Sequence, residues 1–192
     1  MHVKPLAAAA AFLPSLAHAA PITYFADLNG ANESPPVVSS GTGWALVTID
    51  TVGHFLSLNV SFSGLEAPVT VAHIHCCTLT PFTGNVGVAT ATPTFPGFPA
   101  GVTSGSYENT FDTTALSTFS AAFVTANGGT AAGAGAALAA GLAAGRAHLN
   151  IHTSLYPGGE IRGFLRPVPE PGTLALAGAT LVWLVWRLRA LR

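Results

Sequence analysis

The chain carries little charge. Of its 192 residues only 8% are Asp, Glu, Lys or Arg, and the net charge is −1 at pH 7 with histidine neutral. No basic stretch is available to neutralise phosphates, which excludes a nucleic-acid binder, and no acidic run is available to gather cations. Cysteine is nearly missing. The only two, Cys76 and Cys77, are adjacent, so no pair of ordinary spacing can staple the fold. Internal repeats are absent. So are a G-x-S-x-G elbow, a phosphate loop, paired carboxylates and any nucleophile–base–acid set; nothing in the sequence points to an enzyme. Apolar runs long enough for an ordinary membrane span are missing too. Leu174 to Trp186 would reach only about 20 Å as a helix, against a hydrocarbon core of about 30 Å.

What is present begins at the two ends. The tail reads Val168-Pro169-Glu170-Pro171-Gly172-Thr173, then the apolar run, then Arg187-Leu188-Arg189-Ala190-Leu191-Arg192. Gly172-Thr173 and the snorkelling Arg187 and Arg189 extend the run to a marginal span, a short C-terminal transmembrane helix. Trp183 and Trp186 suit the interface, and the arginines favour a cytoplasmic end. Pro169 and Pro171 keep the segment before the span from being helical. A weak anchor behind an exposed, extended tripeptide suits a protease substrate. The order Pro-Glu-Pro, short span, basic end resembles the PEP-CTERM sorting signal of Gram-negative bacteria, with Pro169, Glu170, Pro171, Arg187 and Arg189 as its residues. The resemblance implies export, a transient stay in the inner membrane, and processing by an exosortase-type enzyme. The end point is the cell surface or the extracellular matrix.

The N-terminus agrees with export. Met1-His2-Val3-Lys4 is a short basic start, Leu6 to Leu16 is apolar, and Ala17-His18-Ala19 is an A-x-A cleavage site. Residues 1–19 are thus expected to be a signal peptide, which makes the export machinery a partner. Residues 20–166 remain for one β domain, and 167–192 form the sorting and anchor segment.

The middle is dominated by Gly, Thr, Ser, Val and Phe, with turn residues at short intervals, an all-β pattern. Alternation predicts strands over Ile22 to Leu28, Gly43 to Asp50, His54 to Phe62, Val69 to Cys77, Asn85 to Ala91, Ser104 to Asp112, Ala147 to Thr153 and Glu160 to Leu165. Thr92 to Gly101 reads as a Pro/Phe/Gly loop, and Phe119 to Val124 as a short strand or a turn of helix. Thr130 to Ala144 is Ala-rich with Leu138 and Leu142 at i, i+4. It reads as one short helix, the alternative being a flexible low-complexity insert. The expected fold is an antiparallel β-sandwich or barrel, immunoglobulin-like or superoxide-dismutase-like.

Three strands carry side chains with chemistry. Alternate strand residues point to opposite faces. His73, His75 and Cys77 therefore share a face, as do His148, Asn150 and His152, and Glu160, Arg162 and Phe164. Ile74, Leu149 and Ile151 point the other way. Imidazole is the commonest metal ligand, so a face combining His73, His75, His152 and nearby His148 is a candidate site for copper or zinc. The competing reading is a hydrogen-bonded polar patch that fixes strand register. Arg162 is expected to pair with a carboxylate, Glu160 or a neighbour, while Glu33, Glu66 and Glu108 are expected to be solvated. For the cysteines three readings stand: a buried Cys76 thiol, a vicinal disulfide that breaks the strand, or Cys77 as a soft ligand beside the histidines.

The strings Ala72-His73-Ile74-His75, Leu149-Asn150-Ile151-His152-Thr153 and Pro157-Gly158-Gly159-Glu160-Ile161-Arg162-Gly163-Phe164-Leu165 together resemble the CHRD domain, named for chordin. The resemblance covers roughly Thr23 to Leu165 and implies a β-rich extracellular domain with no established enzymatic activity. His148 departs from it, since the family more often has an aromatic residue there. An H-x-H strand, a later strand histidine and a glycine-rich turn leading to an arginine are also similar to copper/zinc superoxide dismutases. That likeness implies His73, His75 and His152 as ligands and Arg162 as a nearby cation, without a convincing zinc-loop cluster. Two function classes follow. One is a surface or matrix module of a polysaccharide-secreting bacterium, contacting extracellular polysaccharide or matrix proteins. The other is a protein that holds copper or zinc, with a possible redox connection.

Overall fold

The computed structural model describes residues 20–169. The expectations for the signal peptide 1–19, for Glu170, Pro171, Arg187 and Arg189, and for the tail helix lie outside that range. Among the described residues no helix is long and apolar enough to cross a membrane.

Eight strands form the domain: β1 (Ile22–Asn29), β2 (Thr42–Asp50), β3 (Phe55–Ser63), β4 (Val69–Cys76), β5 (Gly105–Asp112), β6 (Ala147–Thr153), β7 (Ile161–Phe164) and β8 (Arg166–Pro167). Two α-helices accompany them among the described residues, α1 (Ala121–Ala126) and α2 (Ala131–Ala143). All strands belong to one antiparallel sheet in the order β4-β6-β7-β1-β2-β3-β5, with β8 also on β1. The sheet curls into a half-barrel. Its inner face is the one that alternation assigns to the core. Tyr24, Ala26 and Leu28, Ala45, Val47 and Ile49, Leu56, Leu58, Val60 and Phe62, and Leu149 and Ile151 are all buried there. Each large aliphatic or aromatic side chain so buried contributes on the order of 1.5–3 kcal/mol.

The Ala-rich segment is a helix. Thr130 caps it by accepting from the Gly133 amide at 3.0 Å, and Ala134, Leu138 and Leu142 pack on the core. The segment left open between strand and helix is α1, capped by Ser120. Asn85 to Ala91 is not a strand; it makes only isolated bridges at Val88 and Thr90. Together with the loop that follows, it runs along the free edge of β4. The Gly87 carbonyl accepts from Cys76, while Ala89, Phe95 and Gly101 donate to Ile74, Ala72 and Val69. An edge strand presents unpaired backbone groups, and an irregular cover satisfies them without a full ladder.

Cys76 and Cys77 form a disulfide, so neither the buried-thiol nor the thiolate-ligand reading holds. The chain leaves strand geometry after Cys76, and both sulfurs turn toward α2. They sit against Gly141, where an added Cβ would collide with each of them. Cys77 is therefore removed from the histidine face on which strict alternation puts it.

Candidate metal centre

The outer face of β4 and β6 is where the histidines meet. Register pairs His73 with Asn150 and His75 with His148, and sets His152 opposite Val71. On the other side of β6, Asn150 faces Arg162 and His148 faces Phe164. One ring nitrogen from each of His73, His75 and His152 lies within 4.8 Å of the other two. His148 lies beside this trio, not in it. Its ring stacks on His75 with centroids 5.0 Å apart and planes 3° from parallel, and it is only 1% exposed.

Backbone carbonyls set the tautomers. His73 Nε2 lies 2.5 Å from the Pro93 carbonyl oxygen, His75 Nδ1 is 2.8 Å from that of Val86, and His152 Nδ1 is 2.9 Å from that of Pro157. A carbonyl only accepts, so each of these nitrogens carries its proton and donates. The lone pairs are left on His73 Nδ1, His75 Nε2 and His152 Nε2. These three atoms are buried and have no hydrogen-bond partner among the described residues. A metal-binding imidazole typically donates its other N–H to a carbonyl or carboxylate, which fixes ring and tautomer. All three rings meet that condition. The loop covering β4 supplies two of the carbonyls and the β6–β7 hairpin the third, and no sequence motif reveals either.

Arg162 is buried at 4% exposure, and its partner is Glu33, at 3.7 Å, not Glu160. It also donates to the Asn32 carbonyl and to Asn85 Oδ1, both at 2.5 Å. Glu160 faces elsewhere. Fully buried, it accepts from Ser39 Oγ, the Glu66 amide and Thr153 Oγ1, each at 2.7 Å, and so ties the hairpin to the chain between β1 and β4. Glu66 and Glu108 are exposed as expected. Glu33 is not solvated: it is 7% exposed, and burial pushes its pKa up to about 7 against the pull of Arg162. Sequence reasoning missed its role. The only signal is a lone carboxylate in a turn otherwise built of Gly, Ala, Asn, Ser and Pro.

With this geometry in place, comparison with known proteins is decisive on one point. The CHRD domain family model matches residues 24–165. The chain belongs to the CHRD family. The PEP-CTERM protein-sorting motif matches residues 167–190, directly behind the CHRD domain, so this is an exported protein processed at the membrane by an exosortase-type enzyme, with a secreted or surface end state. No curated protein and no solved structure matches the chain.

The CHRD domain's imidazoles resist protonation. Burial is the main cause: it pushes His75 down to about 4 and His148 to about 3, and lowers His73 and His152. Neighbouring positive charge adds to the effect on His73, His75 and His148. In the unfolded chain these side chains titrate near 6.5. Below that pH the unfolded chain binds more protons than the folded one, so stability falls with acidification from about 6.5 toward the folded values. Glu33 works the other way, because its raised value favours the folded state as pH drops from about 7. Four lowered imidazoles outweigh one raised carboxyl. The urea midpoint is therefore expected to be lower at pH 5 than at pH 7.5. His148→Phe should shrink that difference, since Phe fits the stack between His75 and Phe164 and takes no proton. An unchanged difference in the variant would exclude His148 as a source of the acid sensitivity.

Proposed function

We propose that this exported CHRD protein serves at the cell surface or in the extracellular matrix as a metal-holding module, taking one copper or zinc ion on His73 Nδ1, His75 Nε2 and His152 Nε2. One observation carries the reading. His73, His75 and His152 each bring a ring nitrogen within 4.8 Å of the other two, and each has one buried nitrogen that has no partner among the described residues while a carbonyl holds the other. An unsatisfied buried polar group costs about 1–3 kcal/mol, and a cation offers all three what they lack. Neutral imidazoles suit copper and zinc, with Cu²⁺ the tighter of the two in the usual order of affinities. His73 and His152 are 6% and 8% exposed and His75 is half-buried, so the three rings sit at the outer surface of the sheet with their donor atoms turned inward.

The donors are neutral, and no general acid, base or nucleophile is assigned beside them; the function proposed is holding the ion, not catalysis. Delivery to the matrix of a polysaccharide-secreting bacterium fits the sorting motif and the low-charge chain rich in Thr, Ser and Gly. Elemental analysis of the processed full-length protein tests the reading. About one copper or zinc per chain, retained through dialysis, is the expected result. No metal as purified and none taken up on addition would leave a structural module that contacts polysaccharide or matrix proteins.

A further inference from the structure

Beyond the three donor nitrogens, Glu33 Oε1, Asn150 Oδ1 and His148 Nδ1 are also buried without partners among the described residues. The two oxygens converge under Gly159. A Cβ placed there would lie 2.8 Å from Glu33 Oε1 and 2.6 Å from Asn150 Oδ1. Two acceptors cannot satisfy each other, whereas one proton between them satisfies both. The second half of the pair already exists, since Asn150 Nδ2 donates to Glu33 Oε2 at 3.5 Å. A proton on Glu33 would give these two partnerless oxygens a donor to share, beside the bond from Asn150 Nδ2. Arg162 does not make the bidentate clamp that would hold Glu33 ionised. Its closest approach is 3.7 Å, and it donates instead to Asn32 and Asn85.

The pair stands next to the metal centre. Asn150 lies between His148 and His152 on β6 and directly opposite His73 on β4. We infer that Glu33 is the proton partner of this centre: a cation seated on the three imidazoles expels the Glu33 proton, and protonated Glu33 weakens cation binding. This deepens the metal-holding reading and rests on it. The groups around Glu33 make the exchange favourable. β7 contributes Arg162, β6 contributes His148 and His152 on either side of Asn150, and β4 contributes His73 and His75. Asp27 of β1 and Arg166 of β8 line the same cavity as Glu33 and Arg162. With the imidazoles neutral and Glu33 protonated, Arg162 is the one buried charge among the described residues of this face. A bound cation adds positive charge, and an ionised Glu33 offsets it.

The burial that raises Glu33 to about 7 and lowers the imidazoles puts the exchange where it can be seen. Burial holds the donor imidazoles below their ordinary value, so they carry fewer protons to release than free imidazoles would. The experiment titrates the metal-free full-length protein in detergent with Cu²⁺ at pH 6.5, counting released protons with a pH indicator. Wild type is expected to release more protons per ion than Glu33→Gln, the excess being most of one proton. Between pH 7 and 6 wild-type affinity should fall by up to tenfold, while Glu33→Gln changes little. Gln likewise offers Asn150 a donor and an acceptor, so the fold is expected to stand. Infrared spectra give a second readout, a carboxylic-acid band in metal-free wild type that Cu²⁺ removes and that Glu33→Gln lacks. Cu²⁺ binding with equal proton release in both proteins would overturn the inference and leave the metal site intact. A metal-free wild type without the acid band would do the same. Failure of both proteins to bind Cu²⁺ would overturn the metal-holding reading itself, and this inference with it.

Discussion

Replacing His73 and His75 together by alanine is expected to abolish submicromolar Cu²⁺ binding. Loss of a supporting partner behind a metal ligand alone costs 10- to 100-fold in affinity; removing two of three donors should cost more than about 100-fold. The fold should survive. Both side chains project from the outer face of β4, while the intervening Ile74, fully buried, keeps its place in the core. The hydrogen bonds lost are those to the Pro93 and Val86 carbonyls, in a loop that other backbone bonds also fasten to β4. Calorimetric titration with Cu²⁺ and Zn²⁺, with a thermal melt as control, separates the outcomes. A variant that melts like wild type and binds neither ion tightly fits the proposed centre. A folded variant that binds as well as wild type would place the ion elsewhere.

Cutting the sorting segment should have an effect of similar size on location. The matched motif at residues 167–190 joins a Pro-Glu-Pro site to a run too short for a comfortable span and to a basic end. The motif implies export and membrane-anchored processing, so the apolar run is expected to hold the processing site at the membrane. Removing Leu174 to Arg192 takes away the hold, so the protein should be released without normal surface delivery. Glu170→Ala keeps the hold and alters the site, so the unprocessed chain should accumulate in the inner membrane. Cell fractionation with blotting reads both. Normal processing and location in both variants would contradict the assignment.

Much of this architecture is legible in the chain because strand alternation is a local signal. Leu56, Leu58, Val60 and Phe62 declare the buried face of β3, and Ile74, Leu149 and Ile151 declare that of β4 and β6, which fixes the histidines on the other side. The helix at Thr130 to Ala144 is legible for the same reason. Long-range pairing is not local. Nothing within Ile22 to Asn29 says that β1 lies between β7 and β2, and it is the pairing of Asn29 with Arg162 that brings the following turn, with Glu33, beside the metal face. Backbone donors and acceptors leave no trace in sequence, so the carbonyls of Val86, Pro93 and Pro157 that orient the imidazoles were invisible. The cysteines show a further limit. Alternation assigns Cys77 to the histidine face only while the strand continues, and the strand ends at Cys76.

X-ray absorption at the zinc edge of the Zn²⁺-loaded full-length protein tests the centre most directly, because it counts and identifies the donors. Three imidazole nitrogens at about 2.0–2.1 Å, with at most one further light atom, is the expected result; the imidazole pattern should vanish in the His73→Ala/His75→Ala protein. A shell of oxygen donors, or an imidazole pattern that persists unchanged in that variant, would contradict it.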